Sequence, residues 1–139
     1  MKVLIAEDET LIRLDLRGIL ERDGFAVCAE AKDGLEAVEL ARSSQPDIAM
    51  LDVRMPNLDG VEAARRMYAE RPIPIVMLTA FRDRATVERA VAAGVFGYLT
   101  KPFRAGDVAP ALFAAAARHR ELLSARREIG GRIEIRTAR

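Results

Sequence analysis

The sequence predicts an α/β fold in which a parallel sheet carries helices on both faces, with strand order 2-1-3-4-5 as one of the two common solutions. Three observations carry that reading. Short apolar runs alternate five times with segments of helical periodicity. The fourth run, 74–78, is apolar throughout, as expected of a strand covered on both sides. Polar or charged residues stand at the carboxyl ends of the runs, where open α/β sheets form their ligand crevice.

The elements follow in order. Residues 2–6 read as a strand ended by Glu7-Asp8-Glu9. Thr10 is placed to cap a helix whose apolar face is Ile12, Leu16, Ile19 and Leu20, and Asp23-Gly24 stops it. Residues 25–31 form the second strand. After Lys32-Asp33-Gly34, a second helix presents Ala37, Val38 and Ala41. Residues 47–51 form the third strand, leading into Asp52 and the turn chemistry of Met55-Pro56-Asn57 and Asp59-Gly60. Val61, Ala64 and Met67 mark the third helix. The fourth strand, 74–78, is closed by Thr79-Ala80-Phe81, and a helix over 83–93 ends at Gly94 as its C′ residue. Residues 95–99 form the fifth strand, followed by Thr100-Lys101-Pro102. Asp107 can open a fifth helix that packs through Ala109, Leu112, Phe113 and Ala116.

The totals bound the function. A chain of 139 residues is long enough for one domain with its own core. With no Trp and 5% aromatic residues, that core must be aliphatic. No uncharged apolar run reaches the roughly 18 residues that a membrane span needs. Acids at Glu7 and Asp8 come too early for a signal peptide, so the expectation is a cytoplasmic protein with no membrane partner. Cys28 is the one cysteine, which excludes an internal disulfide framework. The net charge of +1 divides into +4 over 118–139, from seven Arg and three Glu, and −3 over the rest. A folded body over 1–117 is therefore expected to carry a basic helical extension or linker over 118–139.

Strand order 2-1-3-4-5 sets strands one and three side by side, so Glu7, Asp8 and Asp52 should converge. Three close carboxylates repel unless a cation joins them, and an all-oxygen donor set suits a hard divalent ion such as Mg²⁺. A carboxylate can also act as a nucleophile toward phosphorus. Thr79 and Lys101, at the ends of strands four and five, are the hydroxyl and ammonium that a transferred phosphoryl group needs. Taken singly, each of these residues is a cap, a turn former or a solvated charge. Together at one sheet edge they point to phosphoryl transfer onto Asp52. Phosphate-loop, dinucleotide, nucleophile-elbow and zinc-protease motifs are all absent from the sequence. The one histidine, His119, lies near the basic tail and is not expected to be catalytic.

At these residues the chain resembles the receiver domain of bacterial two-component response regulators. The motifs are Glu7-Asp8, Leu51-Asp52-Val53-Arg54-Met55-Pro56 with Asp59-Gly60, Leu78-Thr79-Ala80, and Tyr98-Leu99-Thr100-Lys101-Pro102-Phe103. The resemblance implies a flavodoxin-like (βα)5 three-layer sandwich. It implies Asp52 as phosphoacceptor, with Glu7, Asp8, Asp52 and the Arg54 backbone carbonyl holding Mg²⁺ or Mn²⁺. It further implies that Thr79 and Lys101 bind the phosphoryl group, that Tyr98 is the aromatic switch, and that the Lys101-Pro102 peptide is cis. Arg54 and Phe81 then occupy positions that tune dephosphorylation. Glu7 departs from the family's commoner Asp, and its greater length suits contact with the metal through water.

A narrower likeness is to receivers joined to ANTAR-type RNA-binding antiterminator domains, carried by 3–9 with Leu11-Ile12-Arg13 and by the motifs around Thr79 and Lys101. Leu122, Ile129 and Ile133 resemble the coiled-coil helix that precedes such an output domain. Gly130-Gly131 departs from that pattern, at a cost of about 1 kcal/mol per Gly relative to Ala, and 132–136 alternates like a strand. The implied partners are a sensor histidine kinase, a second copy of the chain on activation through helix 4, strand 5 and helix 5, and RNA through an output domain absent from this chain. The chain is expected to catalyse only its own phosphorylation and dephosphorylation. The alternative is a stand-alone or phosphorylation-independent interaction module with the same fold.

Overall fold

The computed structural model describes residues 1–80 and 84–137. Five strands and five helices alternate: β1 (Lys2–Ala6), α1 (Thr10–Arg22), β2 (Ala26–Ala31), α2 (Gly34–Ser44), β3 (Ile48–Asp52), α3 (Gly60–Glu70), β4 (Ile75–Thr79), α4 (Arg84–Ala92), β5 (Gly97–Thr100) and α5 (Ala105–Thr137). The strands form one parallel sheet in the order β2-β1-β3-β4-β5. The predicted flavodoxin-like topology is therefore the observed one.

Two apolar cores sandwich the sheet, and the two-residue repeat of the strands sorts side chains between them. Val3, Ile5, Ile48, Met50, Val76 and Leu78 face α1 and α5, meeting Leu16, Leu20, Val108 and Leu112. Leu4, Ala6, Ala49, Leu51, Ile75 and Met77 face the opposite way, toward Ala37, Val38, Val61, Ala64, Met67 and Ala90 of α2, α3 and α4. Each large side chain buried in this way contributes roughly 1.5–3 kcal/mol. Among the described residues, Glu7 is the one ionisable member of the largest fully buried side chains.

Several local expectations are corrected. Thr10 does not cap α1: Glu9 holds the N-cap position without a side-chain hydrogen bond, and Thr10 is already helical. Ile12 is only half-buried, whereas Arg13 is buried on the α1 core side. The strands at 25–31 and 95–99 begin later, at Ala26 and Gly97, while β3 and β4 run one residue further, through Asp52 and Thr79. Parallel pairing decides these ends, because Asp52 pairs with Leu78 and Thr79 with Thr100. Helix α5 begins at Ala105 rather than at Asp107. The Asp107 carboxylate accepts the Arg104 backbone N–H at 3.2 Å, capping from inside the first turn. The strand-like alternation of 132–136 forms no strand, because α5 continues through Gly130-Gly131 to Thr137.

Asp33 and Asp59, read from the sequence only as turn residues, cap α2 and α3 by accepting the backbone N–H groups of Glu36 and Glu62, each at 2.8 Å. Gly94 follows α4 with φ 90°, a left-handed conformation that favours glycine.

Candidate functional site

The register of β1 against β3 builds the site. Ala6 lies opposite Leu51, so Glu7 and Asp52, one step further along each strand, meet at the carboxyl edge of the sheet. Among the described residues, Glu7, Asp8 and Asp52 each place a carboxylate oxygen within 4.8 Å of the others. Asp8 is exposed, Asp52 is 8% exposed and Glu7 is fully buried.

Lys101, at the end of β5, bridges two of the three. Its Nζ lies 2.7 Å from Glu7 Oε2 and 3.0 Å from Asp52 Oδ2. The second oxygen of Glu7 accepts the Glu9 backbone N–H at 3.2 Å. Burial pushes the Glu7 carboxyl up to about 7. The Lys101 hydrogen bond opposes this, and the nearby Asp52 charge adds to it. Burial alone would lower the Lys101 ammonium, yet its bonds to Glu7 and Asp52 outweigh that effect and raise it above the usual lysine range.

Neighbouring strands supply the remaining predicted groups. Thr79 stands one residue beyond Leu78, the partner of Asp52 in the sheet, and is 7% exposed. The Lys101 backbone N–H donates to the Thr79 carbonyl at 2.9 Å, and the Lys101-Pro102 peptide is cis. Asp8, Asp52, Arg54, Ala80 and Lys101 line one open cleft. Tyr98 lies away from it: the residue is 39% exposed and its hydroxyl donates to the Val87 carbonyl of α4 at 3.4 Å. Phe81 lies outside the described residues.

Three supporting residues escaped the sequence reading or were only partly read. Gly60 donates its N–H to the Val53 carbonyl at 2.8 Å, and a Cβ built on it would stand 1.9 Å from the Asp52 carbonyl oxygen. The sequence marked Asp59-Gly60 as a turn but not this contact. Arg89 reaches from α4 to Asp59 at 2.9 Å, a pairing between distant segments that spacing does not reveal. Arg13 donates to the Glu7 carbonyl at 2.9 Å. The available signal was its position three before Leu16 and seven before Leu20, an arginine in line with the apolar stripe.

His119, expected to be a bystander, is buried between Tyr68 and Phe96 with ring centroids 5.8 and 5.0 Å away. Burial and the nearby Arg126 hold its imidazole below the usual range.

Residues 3–113 match the response regulator receiver domain family. This chain belongs to that family. The receiver is 48% identical over 128 residues to the transcriptional regulatory protein PdtaR of Mycobacterium tuberculosis, covering 92% of this chain and 62% of that protein. The chain thus spans less than two thirds of that relative's length. It is 37% identical to the chemotaxis protein CheY of Listeria monocytogenes, covering 84% of this chain and 98% of that one. Among solved structures, it is similar to the signal receiver domain of a modulated diguanylate cyclase from Desulfovibrio desulfuricans G20. That match has a TM-score of 0.80 and 38% identity, covering 86% of this chain and 95% of the other. No helix among the described residues is long and apolar enough to cross a membrane.

Proposed function

We propose that this receiver is a phosphorylation-controlled signalling switch with Asp52 as the phosphoacceptor. The observation that carries the proposal is the Lys101 ammonium held between Glu7 and Asp52 beside the exposed Asp8. Glu7, Asp8 and Asp52 form a donor set that fits a hard divalent ion, with the Arg54 carbonyl as a further oxygen. Mg²⁺ bound there would supply charge neutralisation for the phosphoryl oxygens.

The chain's own residues account for the rest. Asp52 Oδ attacks the phosphorus of a phosphohistidine on a sensor kinase. A P–O bond forms, the P–N bond breaks, and the leaving imidazole takes up a proton. Lys101 exchanges its contact with Asp52 for the incoming phosphoryl oxygen, and the Thr79 hydroxyl donates to another. Tyr98, now outward against α4, is the group that follows Thr79 inward. Its movement alters the surface of α4, β5 and α5, where Val87 and Val91 are 38% and 62% exposed. Arg54 and Phe81 set the access of water that hydrolyses the acyl phosphate. The receiver modifies only itself.

Acetyl phosphate with Mg²⁺ tests the reading by intact-protein mass. Wild type gains one phosphoryl group, and Asp52→Asn gains none. An unmodified wild type, or equal modification of Asp52→Asn, overturns it in favour of a phosphorylation-independent interaction module.

For the output, we propose control of an RNA-binding antitermination domain in the whole protein. Support comes from the motif likeness of the receiver, the basic helical continuation of α5, and the identity to a transcriptional regulatory protein that is longer than this chain. Sequencing the full gene tests it: an RNA-binding domain after residue 139 supports the proposal, and a DNA-binding domain or a stop codon overturns it.

A further inference from the structure

Arg13 is a charged side chain where the α1 stripe calls for an apolar one. It is 8% exposed, on the same side of the helix as Leu16 and Leu20. A buried guanidinium persists only where its charge and donors are satisfied. Its partners belong to the site rather than to α1. Nη1 donates to the Glu7 backbone carbonyl at 2.9 Å, and Nε lies 3.6 Å from Glu30 Oε1 on β2. Glu30 is held in turn by Arg17, one helical turn along α1.

The Glu7 carbonyl belongs to the peptide that joins Glu7 to Asp8. On its other side, the Glu7 N–H donates to the Ala31 carbonyl at 3.0 Å. The main chain at Glu7 is thus clamped from both directions, by β2 through its N–H and by α1 through its C=O. A single planar peptide leads from that clamp to the Cα of Asp8. Asp8 itself is exposed, and among the described residues no hydrogen bond holds its carboxylate. Its direction toward Asp52 is therefore set by the backbone that carries it.

We propose that Arg13 is a positioning residue for the metal site: by holding the Glu7–Asp8 peptide, it aims the Asp8 carboxylate at the space between Asp8 and Asp52. The proposal rests on the phosphoryl-transfer reading above. Residues that orient metal ligands without touching the metal typically contribute about 10–100-fold in metal affinity. Lysine at this position would reach one acceptor as a point charge, without the fork that spans Glu7 and Glu30.

The test is calorimetric titration of the full chain with Mg²⁺ for wild type, Arg13→Met, Arg13→Lys and Glu30→Gln. It is paired with the rate of modification by acetyl phosphate as Mg²⁺ is varied. Arg13→Met should weaken Mg²⁺ binding about tenfold. Its half-saturating Mg²⁺ should rise in parallel, while the rate at saturating Mg²⁺ stays within about twofold of wild type. Arg13→Lys should recover part of the affinity, and Glu30→Gln should lose less than Arg13→Met. A merely structural arginine would lower the melting temperature and leave Mg²⁺ affinity unchanged, and that result overturns the proposal. Should Arg13→Met fail to fold by circular dichroism, Arg13→Lys and Glu30→Gln decide: wild-type affinity in both overturns it. A wild type that binds no Mg²⁺ overturns the phosphoryl-transfer reading along with this one. Wild-type binding with unaffected variants overturns only the role of Arg13.

Discussion

Replacing Lys101 by Met keeps most of the stem volume and removes the ammonium, leaving Glu7 and Asp52 facing each other. The Lys101 side chain is 15% exposed, that of Glu7 0% and that of Asp52 12%, so water replaces little of what is lost. Breaking one side of a buried ion pair typically costs about 3–5 kcal/mol. With two shielded carboxylates left facing each other, about 3 kcal/mol is expected at pH 8 without metal. Protonation relieves the cost. Glu7 already stands at about 7 with Lys101 in place, and losing the lysine raises it further. At pH 5.5 the variant therefore folds with Glu7 neutral, and the loss should fall to about 1 kcal/mol. At about 3 °C per kcal/mol for a chain of this size, these losses correspond to about 10 °C and 3 °C in Tm. Melting followed by far-UV circular dichroism at both pH values measures them. Mg²⁺ at about ten times its Kd should return about 1.4 kcal/mol at pH 8 by mass action. Equal losses at the two pH values, or a Tm insensitive to Mg²⁺, would refute the electrostatic reasoning.

Three further perturbations probe other parts of the structure. Glu7 has a folded-state value near 7, above its unfolded value of 4.5. Its contribution to metal-free stability is therefore full below pH 4.5 and lost as pH rises through 7, by about 3 kcal/mol. Urea midpoints from pH 4.5 to 8 should show this slope in wild type and lose it in Glu7→Gln. Gly60→Ala places a Cβ 1.9 Å from the Asp52 carbonyl oxygen, a backbone atom that cannot swing aside. A loss of about 3 kcal/mol or more is expected from urea denaturation, together with weaker Mg²⁺ binding. Asp33→Ala removes the cap on α2 and the acceptor of the Asn57 side chain at 2.9 Å. It should lower stability by about 1 kcal/mol in the same assay without changing Mg²⁺ affinity.

How much of this was legible in the sequence depends on the range of the interaction involved. Gly94 acts on its own helix, so its C′ position was readable from spacing, whereas Asp33 was read only as a turn residue and its cap on α2 was missed. Most of the core faces followed from the same local periodicity, but Ile12 is only half-buried, Phe113 is 56% exposed, and at Arg13 a charge broke the pattern. Thr10 and Asp107 misled because each is a good cap residue placed inside its helix, at the first and third positions respectively, and only hydrogen-bond geometry shows which residue caps. The strand-like alternation at 132–136 had no neighbouring strand to pair with, and the helix already running through α5 continued across it. The pairing of Arg89 with Asp59 joins residues 30 positions apart, and no local rule reaches that far.

By itself the sequence determined the alternation of strands and helices, the parallel character of the sheet and the identities of the five residues at the strand ends. Those depend on which side chains are apolar and where the chain must turn. Tertiary structure alone decided how the five meet. The β1–β3 register sets Glu7 beside Asp52, burial raises the Glu7 carboxyl to about 7, and Lys101, 94 positions away in the chain, lies 2.7 Å from it. Electrostatic strength depends on distance and on the exclusion of water. Both arise only when the sheet has closed and α1 has laid Arg13 against the Glu7 carbonyl.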